Sequence, residues 1–536
     1  MMFSNMYLLA FAVAFAGCVF STPLVTRFAT WAGAIDRPDQ FRRIHKGAVP
    51  RLGGLGLAIG IAACIVPVAL GGFLRDDGGG PLWGFLARQW SILAAAAVVL
   101  VVGLIDDTRG MSPRVKLLGQ AAAVLVLVAG GLQIQRVALL GAEFDLTSPG
   151  FLLPMPAGPV KVGLPGLAVT MLWFLGCMNI WNLIDGMDGL ASGVGILVSG
   201  TLMLVAIDQG NVGSAILAAA LAGSLAGFLL YNWHPACIFL GDSGSLLIGL
   251  LIGVIGAKDC LKGPSTVSIL FPLLAMGLPI TDTAMAIFRR WVRNLPLSSA
   301  DRRHVHHLLI GLGLNPRQAA ILLYCFSAFL CGSVLLGITL HNEALALILG
   351  ISGCLAFLLI LTSRRDELSQ LVGDLKARLD RGKQERQAAK LTWDAIQRIE
   401  LGADGDAIWD VLHGAATALG CDVLSLVCHR HGRPILQRTA GVEAAEGLSG
   451  PSATFRLPGG DDLMLSVTLH QRRASPLAAD IAFRALQRLA LATAERLERL
   501  AEPASTAEPS PSLLGAGRWR PRPLGAATAG GSWAED

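Results

Sequence analysis

About eleven apolar stretches, each near the ~20 residues needed to cross a bilayer, recur along the chain as far as position 362. They predict transmembrane helices over roughly 4–26, 52–73, 89–105, 115–132, 164–179, 190–207, 212–231, 243–257, 266–288, 318–339 and 344–362. The first lacks a basic leading region and is too long for a signal-peptide core, so it reads as an uncleaved span. The pattern then changes. Leu368, Leu371, Leu375 and Leu379 fall three and four residues apart, which predicts an amphipathic or coiled linker helix over 364–402. Residues 403–500 mix helical patterns with β-like runs at 423–427 and 463–467, and 501–536 is a Pro/Ala/Gly/Ser-rich tail expected to be disordered. The fold class expected is an α-helical polytopic membrane protein over 1–363, followed by a small α/β domain.

Charge orients the spans. Arg27, Arg37, Arg42, Arg43, Lys46 and Arg51 share one side with Arg109, Arg114, Lys116, Arg289, Arg290, Arg293, Arg302, Arg303 and Arg317. The other side holds only Arg75, Arg88, Arg136, Lys161, Lys258 and Lys262. The positive-inside rule makes the first side cytoplasmic, with the N-terminus outside and the C-terminal domain inside. Composition agrees: of 536 residues, 53% are hydrophobic and 15% charged, and the mean hydropathy is +0.58. The net charge of +5 is accounted for by these loops, so no nucleic-acid partner is implied. The ten cysteines are scattered without a C-x-x-C and read as reduced small hydrophobes.

Polar residues that fit neither span nor anchor gather on the cytoplasmic side. Asn179, Asn182, Asp185 and Asp188 recur every third position, a near-helical step that would line them on one drifting stripe, with Gly186 and Gly189 opening the helix. A polar turn is the plain alternative. Asp106 and Asp107 are adjacent carboxylates, which favour a shared cation or a raised proton affinity on one of them. Asp36-Arg37-Pro38, Arg42 to Gly47 and Pro50-Arg51-Leu52-Gly53-Gly54 can hold phosphate or simply anchor the topology. Asp242 opens a helix after Phe239-Leu240-Gly241, as an N-cap or as a metal carboxylate. Asp301-Arg302-Arg303-His304-Val305-His306-His307 lacks a zinc-site pattern, and its arginines suit an anionic diphosphate or sugar. Asp282, inside a predicted span, is either functional or hydrogen-bonded to Thr281 or Thr283. The Asp76-Asp77 pair in a Gly-rich outer loop reads as solvated surface.

Five of these segments, in order, resemble the polyprenyl-phosphate N-acetylhexosamine-1-phosphate transferases: D-R-P with H-K-G and P-x-x-G-G; I-D-D with Lys116 and Gln120; N-x-x-N-x-x-D-G-x-D-G-L; F-x-G-D-x-G-S; and R-H-x-H-H. The resemblance implies transfer of a sugar phosphate from a UDP-N-acetylhexosamine to undecaprenyl phosphate in the bacterial inner membrane, with Mg²⁺ as cofactor and Mn²⁺ as a substitute. The H-x-H-H form is similar to the branch using UDP-GlcNAc; the phospho-MurNAc-pentapeptide branch is the alternative within the family. By position, Asp106 and Asp107 match the pair at the lipid phosphate and metal, Asp242 the Mg²⁺ carboxylate with Asn182 assisting, and Asp185 and Asp188 the residues near metal and nucleotide. Asn232 and Phe239 match contacts around uridine, and Lys46, Lys116, Arg303, His304, His306 and His307 face phosphates or sugar.

The C-terminal extension resembles a GAF-type sensory domain, with oligomerisation, including a homodimer, as the plainer reading; its ligand or protein partner is unspecified. A lipid-linked precursor transporter or flippase is the rival class. It would place carboxylates near the midplane, whereas here they fall at one rim.

Overall fold

The computed structural model describes residues 2–36, 48–75, 82–139, 142–154, 159–261, 269–296, 304–362, 365–430, 433–440, 452–459, 463–471 and 478–501. Lys46, Arg303, the Asp76-Asp77 pair and the tail from 502 lie outside them.

In chain order the helices are α1 (Met2–Trp31), α2 (Gly53–Arg75), α3 (Leu82–Arg109), α4 (Pro113–Ala129), α5 (Leu164–Ile184), α6 (Leu190–Asp208), α7 (Val212–Asn232) and α8 (Gly241–Leu261). There follow α9 (Leu270–Ala275), α10 (Gly277–Val292), α11 (Val305–Gly311), α12 (Pro316–Thr339), α13 (Glu343–Thr362), α14 (Arg365–Leu401), α15 (Gly405–Ala418) and α16 (Ala479–Ala501). Among the described residues eight helices are long and apolar enough to cross a membrane: α1, α3, α5, α6, α7, α8, α12 and α13. This is a multi-pass helical membrane protein.

The expected spans at 52–73 and 115–132 are met by the helices α2 and α4. One expected span differs: within 266–288 the described residues form two helices broken at Met276. Pro272 and Pro279 explain the break, because proline is tolerated in a helix's first turn, where its missing N–H would be unpaired anyway. Between α4 and α5 lie two antiparallel strand pairs for which no strand was expected, β3 (Arg136–Leu139) with β4 (Ala142–Asp145) and β5 (Gly150–Leu153) with β6 (Val160–Gly163), after a first pair in which β1 (Ile35–Asp36) meets β2 (Val49–Pro50).

Helix ends are set by local chemistry. Asn315 and Gln318 form a reciprocal capping box on α12, and the Asn211 and Ser112 side chains cap α7 and α4. α5 runs to Ile184, past the expected 179, so Asn179 and Asn182 are helical while Asp185 is its C-cap. Gly189, at φ 75°, starts α6 in a conformation costly for any residue with a Cβ.

At the centre stands α8, whose span is almost wholly buried against α2, α3, α5, α6 and α7. Glycines allow that approach: a Cβ on Gly54 would strike the Ser243–Gly244 backbone, and one on Gly103 the backbone of Ser243. Both contacts fall at the N-terminus of α8, so close packing and site geometry are fixed at one place.

The chain divides into compact units Met1–Asp374 and Leu375–Asp536. The boundary lies beyond position 363, where the hydropathy changes, because Arg293 pairs with Asp374 at 3.0 Å and ties the start of α14 to the membrane unit. The second unit has a four-stranded antiparallel sheet in the order β8-β7-β10-β9, with β7 (Cys421–Arg430), β8 (Arg433–Ala440), β9 (Ser452–Gly459) and β10 (Leu463–Gln471). Its helical core joins Ile399, Ile408, Leu412 and Leu419 to Ile481 and Leu489.

Candidate functional site

Two facing helices carry a polar ladder. Gln120 and Asn179 exchange amide hydrogen bonds at 2.7 and 3.4 Å. One turn along, Lys116 donates to the Asn182 side-chain oxygen at 3.2 Å, while the Asn182 amide donates to Asp242 at 2.8 Å and to Ser245 at 3.0 Å. Lys116 also pairs with Asp106 at 3.2 Å and with Asp242. A four-residue step on α4 thus meets a three-residue step on α5. The expected stripe holds for Asn179 and Asn182 only, since the helix ends before Asp185.

Neighbours on a helix point about 100° apart, and Asp106 and Asp107 take separate partners. Asp106 accepts the Met111 N–H at 2.6 Å and meets Lys116. Asp107 turns to the start of α8, accepting the N–H groups of Asp242 and Ser243 at 2.8 and 3.0 Å and the Ser243 hydroxyl at 2.7 Å. A buried carboxylate there satisfies orphan donors and meets the positive end of the helix dipole.

A cavity of about 300 Å³ opens where α5 and α7 end and α6 and α8 begin. It brings together Asp36 and Arg51, then Asn182, Asp185 and Asp188, then Asn232 and Phe239, then Asp242, and finally His306 and His307. The β1–β2 pair sets Asp36 beside the 49–54 segment. That segment is laced to 239–240 by Phe239 N–H to Pro50 O at 2.8 Å, Gly53 N–H to Phe239 O at 3.0 Å and Gly54 N–H to Leu240 O at 2.9 Å.

Other expected contacts stand behind the wall. Asp106, Asp107, Lys116 and His304 do not line the cavity. His304 meets Asp282 at 2.9 Å, and the other Asp282 oxygen accepts the Val305 N–H at 2.8 Å. The expected Thr281 or Thr283 partner for Asp282 is therefore replaced by the start of α11. Asn232 is buried and spent on bracing: it accepts from Gly189 N–H at 3.0 Å and Ser192 at 3.2 Å, and donates to Ile238 O at 2.9 Å. Asp188 is held by the His234 ring at 2.7 Å and the Ala236 N–H at 3.1 Å.

Asp36, Arg51 and His234 also line the cavity, without an individual role read from the sequence. Asp36 and Arg51 lay in segments that could hold phosphate or anchor the topology, and nothing in the spacing singled either out. His234 had only its place next to Asn232 as a signal.

Asp185 is the open carboxylate. It makes no hydrogen bond or ion pair among the described residues, and burial, reinforced by the charges of Asp107 and Asp188, holds its proton affinity well above the usual carboxylate range, with Arg51 opposing. Asp185, Asp242 and the Asn182 amide supply the hard oxygen donors that suit Mg²⁺. Among the described residues no three Asp, Glu, His or Cys side chains converge as a metal cage. Such an ion would share its oxygens with substrate.

Burial first, then His307, pushes the His306 ring down to about 3, with Asp282 opposing. Among the described residues its Nε2 is buried without a hydrogen-bond partner. The ring fills the space beside Gly186, where a Cβ would sit 2.6 Å from Cε1 and 2.9 Å from Nε2. Gly186→Ala is therefore expected to displace His306 and lower turnover about tenfold, equivalent to ~1.4 kcal/mol, without loss of fold; steady-state kinetics and thermal unfolding check this.

Known proteins resemble this chain over most of its membrane part. Residues 89–258 match the model of glycosyl transferase family 4. The chain is 33% identical over 315 residues to a probable undecaprenyl-phosphate N-acetylglucosaminyl 1-phosphate transferase of Bacillus subtilis, covering 59% of this chain and 80% of the relative. It is 28% identical over 372 residues to a decaprenyl-phosphate N-acetylglucosaminephosphotransferase of Mycolicibacterium smegmatis, covering 64% and 84%. It is 24% identical over 309 residues to an undecaprenyl-phosphate alpha-N-acetylglucosaminyl 1-phosphate transferase of Escherichia coli K12, covering 57% and 76%.

Proposed function

The chain belongs to the polyprenyl-phosphate hexosamine-1-phosphate transferase family, and on that basis we propose that it moves N-acetylglucosamine 1-phosphate from UDP-GlcNAc to undecaprenyl phosphate, releasing UMP. The observation that carries the reading is the single cavity at the helix ends, where Asp185 and Asp242 meet Arg51, His306 and His307. Both substrates are phosphate anions, and a lipid phosphate rides at headgroup level, so a rim site suits them. A transporter would need its carboxylates deeper.

Asp185 and Asp242 would hold Mg²⁺, assisted by Asn182. When bound, the ion screens phosphate charge and polarises the phosphoryl oxygens. Lys116 keeps Asp106 and Asp242 in register, and Arg51 and His307 face the donor diphosphate, joined by Lys46 and Arg303 on their motif positions. Phe239 offers its ring to the base. A lipid phosphate oxygen attacks the sugar-linked phosphorus. A new P–O bond forms as the old diphosphate P–O bond breaks, and the bridging oxygen leaves with UMP. Positioning and charge stabilisation supply most of the acceleration in such transfers. Direct attack is favoured because both Asp107 oxygens are already spent on α8. The membrane is the bacterial inner membrane, with this rim cytoplasmic.

The test uses purified protein with undecaprenyl phosphate, Mg²⁺ and a panel of UDP-sugars, following UMP. Failure of every UDP-N-acetylhexosamine sinks the reading, while labelling of Asp185 and Asp242 from both membrane faces would favour transport. A linkage effect should accompany binding. The raised proton affinity of Asp185 means that a cation must displace its proton, so Mg²⁺ affinity should rise with pH, as calorimetry in two buffers would show.

A further inference from the structure

Asp282 is a buried carboxylate on α10 that the transfer scheme leaves unused. Burying it is costly unless both oxygens are satisfied, and both are, by two adjacent residues: His304 Nδ1 at 2.9 Å and the Val305 N–H at 2.8 Å. The contact at Nδ1 orients the His304 ring. The His304 ring lies parallel to His306, 5.9 Å between centroids and 5° between planes, and His306 meets His307 at 4.2 Å. His306 and His307 line the cavity and His304 does not. Thr281 meets Cys354 at 3.6 Å, and among the described residues the Thr283 hydroxyl is buried without a partner.

We propose that Asp282 is a positioning residue for the donor: through His304 and the first turn of α11 it sets the angle at which His306 and His307 face the nucleotide-sugar phosphates. This rests on the transfer reading above. Asp282→Asn can present an amide N–H to Nδ1 and so turns the His304 ring or its tautomer, although the side chain keeps its size.

Kinetics of the full chain with varied UDP-GlcNAc and undecaprenyl phosphate test this. Asp282→Asn and His304→Ala should each raise the donor KM about tenfold or more, the scale of losing a carboxylate that orients a histidine, with the acceptor KM nearly unchanged. The double variant should be no worse than either single. His304→Asn, whose amide stands where Nδ1 stood, should recover most of what His304→Ala loses. A wild-type donor KM in Asp282→Asn, losses that multiply, or His304→Asn as poor as His304→Ala overturns the inference. If Asp282→Asn does not fold, the two His304 variants decide. Calorimetric binding of UDP-GlcNAc reads the same ranking without turnover, so an inactive wild type would sink the transfer reading while this one is still judged.

Discussion

Asp242→Asn is expected to cut turnover by at least about a thousandfold, equivalent to ~4 kcal/mol, while the protein unfolds at nearly the wild-type temperature. The carboxylate sits at the first turn of α8, yet the capping there is done by Asp107, so Asp242 is free for chemistry. Among the described residues its oxygens meet Lys116 and the Asn182 amide. Asparagine keeps the shape and loses the charge. A cation that had two carboxylates would have one, and Lys116 would keep Asp106 alone as its carboxylate partner. Mg²⁺ binding should weaken in parallel with turnover. A variant that still turned over at a tenth of the wild-type rate would remove Asp242 from the metal site.

Much of this site was legible because an apolar chain tolerates few unpaired carboxylates. Asp185, Asp242, His306 and His307 stood out against their surroundings, and the structure gathers them. The division of labour was not legible. Adjacent Asp106 and Asp107 suggest one shared job, and only the helix direction shows them parting. His304 belongs to a histidine run, but its partner is Asp282 on α10, a contact that no spacing encodes. Arg51 was left between two readings, phosphate holder and topology anchor, because a rule that explains any arginine near a membrane edge cannot separate them. The break at Met276 was lost for a similar reason: hydropathy averages over Pro272 and Pro279, whereas the backbone cannot. Hairpins at 136–163 were missed because strands of four residues carry too little alternation to register.

Asp107→Asn should behave differently from Asp242→Asn, and the contrast separates support from chemistry. Asp107 accepts three hydrogen bonds at the start of α8 and lies against its positive end. An asparagine brings one oxygen to three donors and points N–H groups at others, leaving buried partners unsatisfied. Loss of a cap and its charge costs about 1–2 kcal/mol, so the unfolding temperature should fall, as it does not for Asp242→Asn. Turnover should fall at least about a hundredfold, since the turn that aims Asp242 is released and a misplacement near 1 Å is enough for that loss. Gly103→Val should reproduce both effects, because its side chain would meet Ser243 and push the same turn away. If Asp107→Asn abolished transfer at wild-type stability, or if phosphate were trapped on Asp107 during turnover, the carboxylate would be a reactant, and the cap seen here would describe only its resting partner.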